Sequence, residues 1–478
     1  MNLSTKQTRA CILFFLFSIF YGCHGVDDEN KTRLLHDVAR TPPMGWNSFD
    51  AYDCRINEDE FRATVDFIAE HLNPYGWEYV VIDYVWWHPE PGNWDNPRRF
   101  GHPNIRYTEG GAPLFPDYTR MDAYGRLIPA VERFPSSAEG KGFKPLADYV
   151  HSKGLKFGIH IMRGIHRIAW YNDLPIKGTE FTARTIAEPR DTCPWLNHMY
   201  GVDHNKPGAQ EYYNSLFELY AEWGVDFIKA DDMMVPPYHG GEIEMMRNAI
   251  DHAGRPMVLS LSCGEAPLSR ARHLAENANM WRISADFWDD WEHLRHNFDL
   301  LNQWSSYIEP GSWPDADMLP IGRLSLNNRP HGPERLTRFT WDQQVTMLSL
   351  WCIAKSPLMI GADLLSSPDS TLLLLTNKEV LNVNQYSTNN RQVAQMRRAG
   401  NNMYIWMADC TLSDDKYIAL FNVMDTEREI CYNLNWELER DVLWNIRDLW
   451  VQEDIGQVQG TLCARVPAHG SILYKLSK

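Results

Sequence analysis

Asp231 and Asp286 each close an apolar run, in "VDFIKAD" (225–231) and "MWRISAD" (280–286). Carboxylates are costly beside buried segments, and a pair of them suits glycoside hydrolysis. One stays ionised as nucleophile while the other holds a proton as general acid. Lys229 precedes Asp231 by two residues, so on a strand both point to one face. A close ammonium favours the ionised carboxylate that a nucleophile needs. Asp286 lies near several acids, which is expected to raise its proton affinity, as an acid catalyst requires. Asp232 points away under strand alternation and reads as a solvated or loop-capping acid. Taken alone, either terminus is also what a strand leaving the core for water looks like.

Other termini repeat the pattern in chain order. "PPMGWNSFD" supplies Trp46, with Asp50 beyond; "YVVIDY" ends in Asp83 and Tyr84; "LKFGIHIM" carries His160, with Arg163 after it. "MVLSLSC" leads to Glu265. Arg282 precedes Asp286, and "GSWPDADML" carries Asp315 and Asp317. Seven such termini in sequence require one scaffold that gathers strand ends on one face.

The runs holding these residues are near-continuously apolar and β-branched, as buried parallel strands are. Between them lie helix-like segments such as "EDEFRATVDFIAEHL" (58–72), "KPLADYVHSKG" (144–154) and "AQEYYNSLFELYAEWG" (209–224). Gly154 and Gly224 stand where helix C-caps belong. This βα repetition predicts an α/β fold, a (β/α)8 TIM barrel, whose active site lies at the strand C-termini. No GxGxxG turn opens a helix after the first strand, so a dinucleotide-binding fold has no local support. Residues 88–143 break the rhythm with Pro, Gly, Asn and Asp. A loop of that length after a barrel strand predicts a substrate-facing insertion. After the barrel, short alternating runs such as "KYIALFNVM" and "SILYKLS" predict an antiparallel β-sandwich. The expected organisation is a signal peptide over 1–25, a catalytic barrel over 26–385 and a C-terminal all-β domain over 386–478.

The 478 residues are 44% hydrophobic and 23% charged, ordinary globular composition with length for two domains. The net charge of −16 and the lack of a basic stripe argue against nucleic acid as a partner. Aromatic residues reach 12%, which suits both large cores and sugar-stacking surfaces. Lys6 and Arg9 precede "ACILFFLFSIF", an export-signal pattern too short to span a bilayer comfortably. The expected location is therefore exported: secreted, periplasmic or lysosomal. Cleavage before Cys23, giving a lipoprotein, is an alternative. No later apolar stretch is long enough for a membrane span. Asn30-Lys31-Thr32 is a glycosylation sequon, relevant only in a eukaryotic secretory route. The seven cysteines after the signal form no disulfide framework or CxxC zinc pattern.

Together, "TPPMGWNSFDAYDC", "YVVIDY", "GLKFGIH", "GVDFIKADD", "WRISADFWDDW", "DADMLPIG" and "SPLMIGADL" resemble the α-galactosidase/melibiase family of retaining glycoside hydrolases. "NKEVLNVNQ" (377–385) is similar to that family's junction before its β domain. The resemblance implies Asp231 as nucleophile and Asp286 as acid/base. It passes sugar-binding roles to Trp46, Asp83, Lys229, Arg282 and Asp317; Tyr84, His160 and Glu265 join them as substrate-binding candidates. Three positions depart from the pattern. Tyr84 replaces the second of two adjacent acids, His160 stands for a Tyr, and Met233 stands near a Cys that the family commonly bonds to the loop after the third strand. The expected activity is release of terminal α-linked D-galactose. L-Arabinopyranose shares the ring hydroxyls of galactose and lacks its hydroxymethyl, so a bulky Tyr84 makes β-L-arabinopyranosidase the alternative.

Duller readings stand beside these. His151, His160 and His166 also fit structural roles. His198, His204 and Asp203 lack tight metal spacing. Trp86 and Trp87 read as core, with one of them a candidate for stacking on sugar. Cys263 and Cys352 read as inert thiols in apolar strands. A metal-dependent barrel hydrolase wants HxH at strand ends, which is missing, and a non-catalytic sugar-binding protein would not need both Asp231 and Asp286 and could lose either without penalty. Expected partners are a carbohydrate substrate and, as an open option, a second copy of the chain; no cofactor or metal is implied.

Overall fold

The structure is a computed structural model that describes residues 35, 37–91, 106–107, 113–114, 119–196, 198–234, 236–326, 332–398 and 401–478. The expected signal peptide, Cys23 and the sequon at Asn30 lie outside the described residues. So does much of the expected substrate-facing insertion.

Eight parallel strands form one sheet: β1 (Met44–Asn47), β2 (Tyr79–Ile82), β3 (Lys156–Met162), β4 (Phe227–Asp231), β5 (Val258–Leu261), β6 (Met280–Arg282), β7 (Trp313–Asp315) and β8 (Leu358–Ile360). They follow chain order, and β8 returns to pair with β1. A parallel bridge from Leu319, beyond β7, to Ile360 of β8 closes the circle. The connections carry α1 (Glu58–His71), α2 (Lys144–Ser152), α3 (Ala209–Trp223), α4 (Gly240–Ala253), α5 (Ala271–Asn277), α6 (Trp291–Trp304) and α7 (Trp341–Ile353).

Local signals explain the boundaries. Asn57 and Glu60 form a reciprocal capping box at the start of α1, with both hydrogen bonds at 3.0 Å. Gly224 ends α3 in the left-handed conformation, φ 84°, which glycine adopts without a Cβ clash. Strand alternation divides the core into two layers. Tyr79, Val81, Phe227, Val258, Met280, Trp313 and Met359 fill the barrel interior. Val80, Ile82, Phe157, Ile159, Ile228, Leu259 and Trp281 pack outward into the helical layer. Gly158 on β3 is needed for the inner layer, because a Cβ there would lie 2.8 Å from Val81 Cγ2 and 3.0 Å from Phe227 Cβ.

Residues 119–143 of the insertion pack around buried Arg133. Its guanidinium donates to the carbonyls of Cys54, Ile56, Val85 and His88 at 2.6–3.2 Å. This ties together the segments after β1 and β2, both of which lead to the site.

After helix α8 (Lys378–Gln385) the chain forms β9 (Ser387–Arg398), β10 (Asn401–Cys410), β11 (Lys416–Asn422), β12 (Arg428–Asn433), β13 (Leu443–Asp448), β14 (Glu453–Gln459), β15 (Thr461–Val466) and β16 (Ser471–Ser477). Six make an antiparallel sheet, β9-β10-β11-β16-β13-β14, and β12 pairs with β15. Cys431 and Cys463 face each other across that pair and form a disulfide, a bridge that scattered spacing did not disclose. The sheet docks on the barrel through α7 and α6. Thr346 donates to the His469 carbonyl at 2.9 Å, and Phe298 stacks on Tyr404 with ring centroids 4.6 Å apart. Cys352 lies in α7, not in a strand as its apolar surroundings suggested.

Candidate active site

At the C-terminal end of the barrel, a cavity of about 260 Å³ opens among the strand termini. Small-ligand pockets run to roughly 300–1,000 Å³, so this one suits a single monosaccharide unit. Its wall includes Asp231 and Asp286 together, with Asp83, Tyr84, His160, Lys229, Arg282 and Asp317. The expected candidates missing from the wall are Trp46 and Glu265.

Lys229 and Asp231 share a face of β4, as their spacing predicts. Lys229 Nζ lies 2.9 Å from Asp83 Oδ2, which also accepts from Asn47 Nδ2 at 2.8 Å. Burial alone would raise the Asp83 pKa, but Lys229, His160 and the Tyr84 main-chain N–H together outweigh it and hold the carboxyl far below the usual range. Asp231 is likewise held below its ordinary value. Burial opposes this, while the hydrogen bond from His160 Nε2 to Oδ2 (3.2 Å), the nearby Lys229 and the Asp232 main-chain N–H on Oδ1 (2.8 Å) favour the carboxylate. The site thus favours the Asp231 carboxylate, with His160 contributing more than the lysine.

Across the cavity, Arg282 is buried and forms an ion pair with Asp317 at 2.8 Å and a longer one with Asp286 at 3.3 Å. The Asp286 side chain is 59% exposed, so it reaches solvent from the cavity wall. Asp317 is held in place by the Phe287 N–H at 2.7 Å. Burial raises the proton affinity of Asp317, Asp315 and Asp50, with Asp315 pushed up to about 6.

Trp46 occupies an outward position on β1. It is fully buried against Tyr52 and Phe61, and its indole N–H donates to the Ala362 carbonyl at 2.7 Å. Phe49 and Asp50, in the turn after β1, reach the cavity instead. Glu265 is exposed and lies 3.3 Å from His296. Trp86 and Trp87 are both core, with the Trp86 N–H on the His160 carbonyl at 2.7 Å. Asp232 does point away from the cavity but is buried, not solvated, and ion-pairs with Arg163 at 2.7 Å. Trp195, Cys263, Phe287 and Trp288 line the wall without having been singled out as ligands. They lie on loops, where period-two patterning gives no direction. Burial and the neighbouring Asp231 keep the Cys263 thiol protonated.

Among the described residues, one cluster has metal-ligand types at close range: Asp191, His239 and Glu242. The Arg163 guanidinium already lies 2.8 Å from both of its carboxylates, which places a competing positive charge there. His198, His204 and Asp203 are not grouped in this way.

A family model described as "Alpha galactosidase A" matches residues 115–206 and 197–386, and one for the "Alpha galactosidase C-terminal beta sandwich domain" matches 400–476. The chain belongs to the α-galactosidase/melibiase family. Among solved structures, the GH27 β-L-arabinopyranosidase of Geobacillus stearothermophilus is 46% identical with a TM-score of 0.85, the match covering 93% of this chain and 98% of that one. α-Galactosidase 2 of Arabidopsis thaliana is 27% identical over 97% of both chains. The α-galactosidase of Coffea arabica is 29% identical over 95% of this chain and 98% of its own. The family carries glycoside hydrolase chemistry, so this melibiase-family protein is a glycosidase acting on a carbohydrate.

Proposed function

We propose that the protein is a retaining exo-glycosidase that releases terminal L-arabinopyranose from β-linked glycosides. The observation that carries the sugar assignment is the position of Tyr84. Its ring is buried in the wall beside Asp83, edge-on to Phe49 and His160 with centroids 6.2 and 5.7 Å away. A hydroxymethyl on the sugar would have to share that corner with the phenol. The similarity to the Geobacillus arabinopyranosidase supports the same reading.

The proposed reaction is double displacement. Asp231 attacks the anomeric carbon while Asp286 protonates the glycosidic oxygen, and the bond to the aglycone breaks. Asp286 then takes a proton from water, which displaces Asp231 and restores the original configuration. The depressed proton affinity of Asp231 and the solvent-reaching Asp286 fit these roles. Lys229, Asp83 and Arg282 offer charge-assisted hydrogen bonds to ring hydroxyls.

A second reading, α-galactosidase, is the one the curated plant relatives favour. Rates on the nitrophenyl β-L-arabinopyranoside and α-D-galactopyranoside decide between them: equal or better galactoside turnover overturns the arabinoside assignment. Asp231→Asn separates both from a sugar-binding protein, which keeps its affinity and has no turnover to lose.

A further inference from the structure

Asp232 adopts φ 65°, a left-handed conformation that a non-glycine residue occupies at a cost. This turn aims its N–H at Oδ1 of Asp231, 2.8 Å away. Something must pay for that conformation, and Arg163 is placed to do so. The Arg163 N–H donates to the Asp231 carbonyl at 3.1 Å. Its guanidinium grips the Asp232 carboxylate from Nη2 at 2.7 Å and from Nε at 3.2 Å, and Nε also reaches the Asp232 carbonyl at 3.1 Å. The same guanidinium is anchored by Asp191 at 2.8 and 2.9 Å and by Glu242 at 2.8 Å. Arg163, Asp232 and Glu242 are all buried, so the grip is not loosened by solvent.

We propose that Arg163 is a positioning residue for the reaction: by gripping Asp232 it holds the left-handed turn that keeps a main-chain N–H on the carboxylate of Asp231. The inference rests on Asp231 being the nucleophile. Planar fork geometry is essential, because one guanidinium meets three carboxylates and a carbonyl at once, which a lysine ammonium cannot reproduce. The lost N–H bond would raise the proton affinity of Asp231, so the effect is legible in pH dependence. Other groups facing Asp231 are His160 from β3, Lys229 on β4 and Cys263 beyond β5. Those facing Asp232 are Arg163, Asp191 and Cys193, with Glu242 on the far side of the guanidinium. None of these is altered by the first variant below.

The test compares kcat/KM profiles across pH for Asp232→Ala, Asp232→Asn, Asp232→Gly and Arg163→Lys. Asp232→Ala cuts the tie and keeps a Cβ that makes φ 65° costly; Asp232→Asn has the same charge as Asp232→Ala and retains an oxygen for Arg163. The acid limb of Asp232→Ala is expected about one pH unit above that of Asp232→Asn, with kcat about tenfold lower. Glycine accepts φ 65°, so Asp232→Gly is expected to fall back to the Asp232→Asn profile; Arg163→Lys, if folded, is expected to resemble Asp232→Ala. Coincident acid limbs in Asp232→Ala and Asp232→Asn overturn the inference, even if Arg163→Lys fails to fold. Azide rescue of Asp231→Ala isolates the premise. Without rescue the nucleophile assignment fails, whereas rescue with coincident Asp232→Ala and Asp232→Asn profiles overturns the positioning role alone.

Discussion

His160 Nε2 lies 3.2 Å from Asp231 Oδ2, joining the third barrel strand to the fourth at the wall of the cavity. Both residues sit on the inward face because they are register partners of the same parity: His160 pairs with Lys229, and Met162 with Asp231. The contact is the leading influence set against burial in keeping Asp231 ionised.

Replacing His160 with Phe keeps the buried ring and removes the hydrogen bond. A carboxyl held below its ordinary pKa then moves up, so activity is lost at a higher pH on acidification. The acid limb of kcat/KM is expected to rise by about one pH unit, with little change in Asp231 ionisation at pH 7. A profile superimposable on the parent would show that His160 does not set the ionisation of Asp231.

Tyr84→Ala opens the corner beside Asp83. Galactoside turnover is expected to gain on arabinoside turnover by about tenfold or more in relative kcat/KM, the range that one added or missing carbon group commands in a close-fitting pocket. Paired assays on the two nitrophenyl glycosides measure it. An unchanged ratio means that Tyr84 does not select the sugar.

Asp315 is buried, and its proton affinity is pushed up to about 6 by that burial. An unfolded aspartate titrates near 3.9. A raised carboxyl destabilises the fold as pH climbs from the unfolded to the folded value. Asp315→Asn keeps an oxygen for the Asp317 N–H, now 2.9 Å from Oδ1, and removes the charge. Its stability relative to the parent is expected to improve by about 2 kcal/mol between pH 4 and 7, read from unfolding curves at several pH values. A difference that does not vary with pH contradicts the assignment.

Arg133→Met leaves the buried carbonyls of Cys54, Ile56, Val85 and His88 without this donor. Each unsatisfied group costs about 1–3 kcal/mol, so a total loss of about 3 kcal/mol or more is expected in urea unfolding. A loss under about 1 kcal/mol would show that water or neighbouring groups replace the guanidinium.

Much of the barrel was legible because buried parallel strands leave unmistakable apolar runs, and because Lys229 and Asp231 are two residues apart. Trp46 shows where that reading failed. The run "MGWN" suggested a functional tryptophan, but the sequence did not fix which parity faces inward. The strand places Gly45 and Asn47 on one face and Trp46 on the other, and the turn after it brings Phe49 and Asp50 to the cavity. Glu265 failed differently: it lies on a loop, where no periodicity constrains direction. Asp232 was read correctly as pointing away and incorrectly as solvated, because its partner Arg163 is sixty-nine positions away in the chain.

By itself, the sequence determined the alternation of strands and helices, the acid at the end of the fourth strand and the all-β tail, since local hydrophobic periodicity encodes these; Asp286 lies in the loop four residues beyond β6, which ends at Arg282. Only the tertiary structure decided which side chains meet: His160 with Asp231, Asp83 with Lys229, Arg282 with Asp317, and Arg163 with Asp232. Those contacts depend on barrel closure and strand register, which bring distant residues within hydrogen-bonding distance and are not written in the spacing of any one segment.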